Sequence, residues 1–142
     1  MSKIASYIDH TLLKPTATLA DIEQLCIEAA RYDFRAVCVN SANIRHCVNT
    51  RTKIGHKFKI CSVIGFPLGA MHSEAKLYEA RNVILRGANE FDWVLNIGRL
   101  IGGQYLDLKF ELKSAVELVK HNNVTTKLII ETGLLTDEQK IV

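Results

Sequence analysis

Ile60-Cys61-Ser62-Val63-Ile64 is an almost unbroken apolar run, with Lys59 before it and Gly65-Phe66-Pro67-Leu68-Gly69 after it. A strand with one wet face alternates apolar and polar residues, whereas a strand covered on both faces does not. Val37-Cys38-Val39, Val94-Leu95-Asn96-Ile97 and Leu128-Ile129-Ile130 read the same way. Runs of this kind belong to parallel sheets whose crossovers are helices.

The segments between the runs supply those crossovers. Residues 7–13 read as a first strand stopped by Pro15, and Thr18 is the N-cap of a helix that places Ile22, Leu25, Cys26 and Ala29 on one face. A strand over 34–39 precedes a helix over 41–53, and a strand over 58–64 precedes a helix over 73–85 that stops at Gly87. A strand over 91–97, a helix over 106–119, a strand over 127–131 and a helix start at Thr136-Asp137-Glu138 complete the chain. Neither G-x-G-x-x-G nor G-x-x-x-x-G-K-[ST] is present, which counts against the nucleotide-binding open sheets. The expectation is an α/β fold of (β/α)8 TIM-barrel type. A whole barrel needs about 200–250 residues, so the chain is expected to be a single partial domain, 1–142, truncated to the first five βα units.

The 142 residues are 48% hydrophobic and 23% charged, with a net charge of +3, which excludes a disordered chain. No stretch of 18 apolar residues offers a membrane span. The start, Met1-Ser2-Lys3-Ile4-Ala5, lacks the apolar centre of a signal peptide, so a cytoplasmic location is expected, without membrane partners. Cys26, Cys38, Cys47 and Cys61 contain no C-x-x-C pair and read as reduced, buried thiols. The five histidines are scattered, and His72-Ser73-Glu74 matches half of a zinc-deaminase signature that no later cysteine completes. No metal site is expected.

Polar residues inside apolar strands carry the functional reading, because an unpaired buried polar group costs on the order of 1–3 kcal/mol. In Glu90-Phe91-Asp92-Trp93-Val94-Leu95-Asn96, Asp92 shares parity with Val94 and Asn96. The bulky Phe91, Trp93 and Leu95 suit the helix-covered side, which leaves Asp92 facing the barrel interior. There it is either an ion-paired structural carboxylate or a proton-transfer group. Asp9 and Thr11 share a face of the first strand, where Asp9 reads equally as a turn or cap residue. Cys38, in the middle of the second strand, reads as a small buried hydrophobe.

Five segments occur in an order that is familiar: Ile8-Asp9-His10-Thr11-Leu12-Leu13-Lys14-Pro15, Ala36-Val37-Cys38-Val39-Asn40, Val63-Ile64-Gly65-Phe66-Pro67-Leu68-Gly69, Glu90-Phe91-Asp92-Trp93-Val94-Leu95-Asn96-Ile97-Gly98 and Lys127-Leu128-Ile129-Ile130-Glu131-Thr132. With them the chain resembles the 2-deoxyribose-5-phosphate aldolases over essentially its whole length. The resemblance implies a (β/α)8 barrel and a lyase of deoxynucleoside catabolism. Such an enzyme reversibly cleaves 2-deoxy-D-ribose 5-phosphate to D-glyceraldehyde 3-phosphate and acetaldehyde through a lysine Schiff base, with no metal and no organic cofactor. It implies a small phosphorylated sugar as substrate and Asp92 as the carboxylate that shuttles protons. Asp9, Thr11, Leu13, Cys38 and Phe66 match substrate-pocket positions. Trp93 stands where methionine or valine is usual.

The family's imine-forming lysine lies in a Val-Lys-Thr-Ser-Thr-Gly segment on the sixth strand, and its phosphate loops follow later strands; this sequence contains neither. Lys59 and Lys127 begin their expected strands and so belong at the bottom of a barrel, away from the catalytic rim. Lys14, in a loop after the first strand, is a poor imine former if its pKa is ordinary. The chain alone is therefore expected to be inactive. Its open interior is expected to meet water and its edge strands to favour self-association. Two rival readings stand beside this one: a non-catalytic remnant, and a polyanion-binding fragment using Arg35, Arg45, Arg51, Lys53, Lys57 and Lys59. No nucleic-acid motif accompanies that basic stretch, and a nucleic-acid partner is not expected.

Overall fold

The Asp21 N–H donates to Thr18 Oγ1, and the Thr18 N–H donates to the Asp21 carboxylate at 2.7 Å, so two otherwise unpaired amides are satisfied at one helix start. This box opens helix α1, Leu19–Tyr32, which buries Ile22, Leu25, Cys26 and Ala29 and ends at Asp33 in the left-handed region. A computed structural model describes residues 3–141; Met1, Ser2 and Val142, the ends of the expected 1–142 span, lie outside the described residues.

Five strands, β1 (Asp9–Leu12), β2 (Ala36–Val39), β3 (Lys59–Ile64), β4 (Glu90–Val94) and β5 (Thr125–Ile129), form one sheet in sequential order. Each neighbouring pair is parallel. The crossovers are α1, then α2 (Ile44–Ile54), α3 (Ser73–Leu85), and the short α4 (Ile97–Ile101) followed by α5 (Tyr105–Asn122). A last helix, α6 (Asp137–Ile141), follows β5. Parallel strands in unbroken sequential order, each followed by helix, are the wall of a β/α barrel.

The main core lies between the sheet and its helices. Val37, Val39, Ile60, Ile64, Phe91 and Trp93 pack there with Ile22, Ile44, Leu77, Ala80 and Val83. A fully buried side chain of this size contributes about 1.5–3 kcal/mol. Behind β4 a polar cluster is sealed into the same layer. Lys76, fully buried, contacts Glu111 Oε1 at 2.5 Å and donates to the Val94 carbonyl at 3.0 Å. Trp93 Nε1 donates to the same carboxylate at 2.9 Å, and Ser73 Oγ donates to its other oxygen at 2.6 Å. The bulky Trp93 thus has a partner for its indole N–H, as a buried tryptophan requires.

Gly69, at φ +64°, closes the loop after β3 against the end of β4. A Cβ there would lie 2.1 Å from the Leu95 carbonyl oxygen, so only glycine allows this approach. His72 caps α3, its Nδ1 accepting from the Glu74 N–H at 3.3 Å, which gives the His72-Ser73-Glu74 triplet a structural role.

Three expectations are corrected. β4 stops at Val94 rather than residue 97, because the Asn96 side chain accepts from the Arg99 N–H and starts α4. β5 begins at Thr125, two residues before the expected start, because α5 ends at Asn122 with Asn123 at φ 52° and the β-branched Thr125-Thr126 pair joins the sheet. The inner face is open to water only in part: Thr11 is exposed and the Lys127 side chain is 39% exposed, while the centre of the face is closed. Cys61 and Glu90 are 0% exposed, Cys38 3% and Val63 4%.

Candidate active site

Parity sorts the strands into two faces. With Val37, Val39, Ile60, Phe91 and Trp93 against the helices, the alternate residues point to the concave side. Those are Asp9 and Thr11 on β1, Ala36 and Cys38 on β2, Lys59, Cys61 and Val63 on β3, Glu90, Asp92 and Val94 on β4, and Thr125, Lys127 and Ile129 on β5.

Six charges on or beside this face form one neutral network. Lys127 Nζ lies 2.7 Å from Asp92 Oδ1, 3.1 Å from Asp9 Oδ2 and 3.3 Å from Glu90 Oε2. Arg35 bridges Asp9 at 3.1 Å and Glu90 at 2.5 Å, and Lys59 lies 2.7 Å from Glu90. Three carboxylates thus balance three cations. Burial opposes the Lys127 ammonium, but the hydrogen bonds to Asp92 and Asp9 and the negative charge of Asp92 outweigh it, and its pKa rises above the usual lysine range. Burial likewise opposes the Glu90 carboxylate, but Lys59, Lys127 and Arg35 hold its pKa below the usual range.

Lys127 is the largest departure from the sequence reading. It was expected at the bottom of the barrel as the first residue of its strand. With β5 starting at Thr125, it sits mid-strand in direct register with Asp92. The missed signal is the threonine pair ahead of it, which reads as strand once α5 is ended at its two asparagines.

The expected pocket residues are distributed unevenly. Asp92 lies on the inner face, 15% exposed at its side chain. Asp9 is two ion pairs deep in the same network. Thr11 is exposed, in register with Cys38, and its Oγ1 donates to the Asp9 carbonyl at 2.9 Å. Cys38 packs with Cys61 and Val63, and Leu13 leans on that cluster. Phe66 stands apart: it lies in the loop after β3, 43% exposed, and joins none of the three buried clusters. Glu90, which the sequence shows only as a member of the fourth motif, and Cys61, which reads there as a buried thiol in an apolar strand, are both central here.

Three of the six residues of the basic stretch are engaged internally. Arg35 and Lys59 belong to the network above, and Arg51 donates to the Phe58 carbonyl and to Asn89 Oδ1. Among the described residues no helix is long and apolar enough to cross a membrane.

A mid-sheet carboxylate paired with a lysine, on the concave face of a parallel β/α wall, is the arrangement against which known proteins can be compared. No family model matches the chain. A curated protein from Carboxydothermus hydrogenoformans is 48% identical over 142 residues, 99% of this chain and 61% of that protein. One from Thermococcus gammatolerans is 46% identical over 138 residues, again 61% of its length. The chain resembles deoxyribose-phosphate aldolases. That is the name both relatives carry. The tetrameric deoxyribose phosphate aldolase of Aeropyrum pernix superposes with a TM-score of 0.85 at 36% identity, covering 96% of this chain and 56% of that one. A protein described as QR15, an aldolase, superposes at 0.86 with 31% identity, covering 98% of this chain and 60% of that one. The fold is therefore that of deoxyribose-phosphate aldolase barrels, of which the chain carries five βα units, and it spans about three-fifths of the curated relatives' length.

Proposed function

We propose that this chain supplies the proton-transfer wall of a deoxyribose-phosphate aldolase, with Asp92 as the acid–base group and Lys127 as the cation that fixes it. The observation that carries the reading is a contrast between two ion pairs. The Lys76–Glu111 pair is sealed, with side chains 0% and 1% exposed, and serves packing. The Asp92–Lys127 pair is 15% and 39% exposed and opens onto the concave face, where a small molecule can reach it. A carboxylate held by one ammonium and still reachable can accept and return a proton at a bound substrate.

Cleaving the carbon–carbon bond of a deoxy sugar phosphate leaves a carbanion beside a carbonyl, and an imine with lysine makes that carbonyl a better electron sink. Lys127 cannot serve as that lysine, because its carboxylate partners keep it protonated and its lone pair unavailable. Lys76 and Lys59 are engaged with Glu111 and Glu90. The imine-forming lysine is then supplied by the two-fifths of the relatives that the chain does not span, and the 142 residues alone carry no turnover.

A fusion tests both halves of the reading. This chain, joined to the complementary portion of the Carboxydothermus relative, is expected to cleave 2-deoxy-D-ribose 5-phosphate, and Asp92→Asn in that fusion to lose about 100-fold or more in kcat. The chain alone is expected to give no borohydride-trapped adduct with acetaldehyde. A folded fusion without activity, or full activity in the Asp92→Asn fusion, defeats the proposal.

A further inference from the structure

Cys38 and Cys61 are direct neighbours across the β2–β3 ladder, so their side chains leave the sheet side by side. One sulfur from each and one carboxylate oxygen of Asp92 all lie within 4.8 Å of one another, and both thiols are buried. Cation binding is already visible at this place. The Lys127 ammonium reaches Asp92 Oδ1 at 2.7 Å and Cys61 Sγ at 3.7 Å, seated between the carboxylate and the sulfur.

We propose that Cys38, Cys61 and Asp92 form a binding site for a thiophilic divalent cation of the zinc and cadmium class, in competition with the ammonium of Lys127.

Three arguments converge on it. Thiolate sulfur selects soft cations over calcium or magnesium. A tetrahedral zinc with two sulfurs at 2.3 Å holds them about 3.8 Å apart, so donors already within 4.8 Å need move by an ångström or less. Charge also balances. The surrounding Asp9, Glu90, Asp92, Arg35, Lys59 and Lys127 sum to zero. The step M²⁺ + 2 Cys–SH → M(S–Cys)₂ + 2 H⁺ breaks two S–H bonds, forms two metal–sulfur bonds and releases both protons to solvent. No electron is transferred, and the site's net charge is unchanged. Lys127 keeps Asp9 and Glu90 as partners when it yields Asp92. Three protein ligands leave a fourth position open.

A bound ion also ties up Asp92. That consequence, inhibition, rests on the aldolase reading; the binding does not, and it is measured without activity.

Cadmium is the probe, titrated into the reduced chain. The expected result is a thiolate-to-cadmium absorption band with two protons released per ion, lost in Cys38→Ser and in Cys61→Ser. Lys127→Met is expected to tighten binding tenfold or more, and Asp92→Asn to weaken it by a similar factor. Cys26 and Cys47, the other buried thiols, touch each other between α1 and α2, so Cys26→Ala with Cys47→Ala must leave the band in place. If a variant does not fold, footprinting of the wild-type chain decides. Cadmium should protect Cys38 and Cys61 together from alkylation and leave Cys26 and Cys47 unchanged. Absence of the band in the folded chain, protection confined to Cys26 and Cys47, or no effect of Lys127→Met overturns the proposal.

Discussion

Asp9 and Lys127 stand on the two edge strands of the sheet, yet their side chains meet at 3.1 Å. Adjacent strands are about 4.8 Å apart, so a flat sheet would separate β1 from β5 by about 19 Å, well beyond the reach of an aspartate and a lysine. The five strands therefore curl, and the charge network spans the concavity from edge to edge. This explains why Cys38, Cys61, Val63 and Glu90 at the centre of the inner side are buried although only five strands are present.

Removing the shared cation should loosen that clamp. In Lys127→Met, Asp9, Glu90 and Asp92 face one another with only Arg35 and Lys59 to balance them. Breaking a buried pair costs about 3–5 kcal/mol, and the 39% exposure of the Lys127 side chain scales this down. A loss of about 1–3 kcal/mol in urea unfolding is expected. An unchanged midpoint would show that the clamp does not hold the curl.

How much of this the sequence could disclose is clear from β4 and β5. The inward turn of Asp92 was legible, because Phe91 and Trp93 demand the helix side and parity then places Asp92. Its partner was not, because the reading started β5 at Lys127 and so moved that lysine from mid-strand to strand end. Two residues of boundary error were enough to send it from the centre of the site to the floor of the barrel. The Cys38–Cys61 contact was hidden for a different reason: register between parallel strands depends on crossover geometry, and no pattern within either strand encodes it. Lys76 falls within the helix expected over 73–85 with nothing in the sequence to mark it as buried, since its burial arises only where α3 meets α5 and Trp93.

The Lys76–Glu111 pair makes a prediction of its own. Lys76→Met leaves a buried carboxylate with only Ser73 and Trp93 as donors, and should cost about 3–5 kcal/mol. The double variant Lys76→Met with Glu111→Leu removes both charges and should recover much of that loss, although the Trp93 N–H then goes unpaired. Thermal unfolding of the three proteins gives the comparison; equal losses in the single and double variants would contradict it.

Acid should unfold the chain through Glu90 and Glu111. Burial opposes both charges, but Lys59, Lys127 and Arg35 hold Glu90, and Lys76, Ser73 and Trp93 hold Glu111, with pKa values below the usual range. A depressed carboxylate pKa contributes stability that is fully present above the unfolded value, near 4.3, and is lost as pH falls through the folded value. Lys127, shifted upward, contributes stability that is fully present below about 10.4 and is lost only as pH rises through its still higher folded value. Stability should therefore be flat near neutrality and fall steeply in acid. The acid slope should be shallower in Glu111→Gln, which pH-dependent urea titrations will read.

The β5 edge sets the behaviour of the chain in solution. No strand pairs with its outer side among the described residues. Around it, Leu128 is 41% exposed and Leu134 64%, and a groove of about 510 Å³ runs between β5, α5 and α6, lined by Leu95, Leu108, Leu112 and Ile130. An unprotected edge beside exposed apolar side chains recruits further strands. Light scattering across a concentration series should show association, and Leu128→Lys, which places a charge on that edge, should reduce it. A monomer at every concentration would mean that α6 and the residues around Leu135 cover the edge well enough on their own.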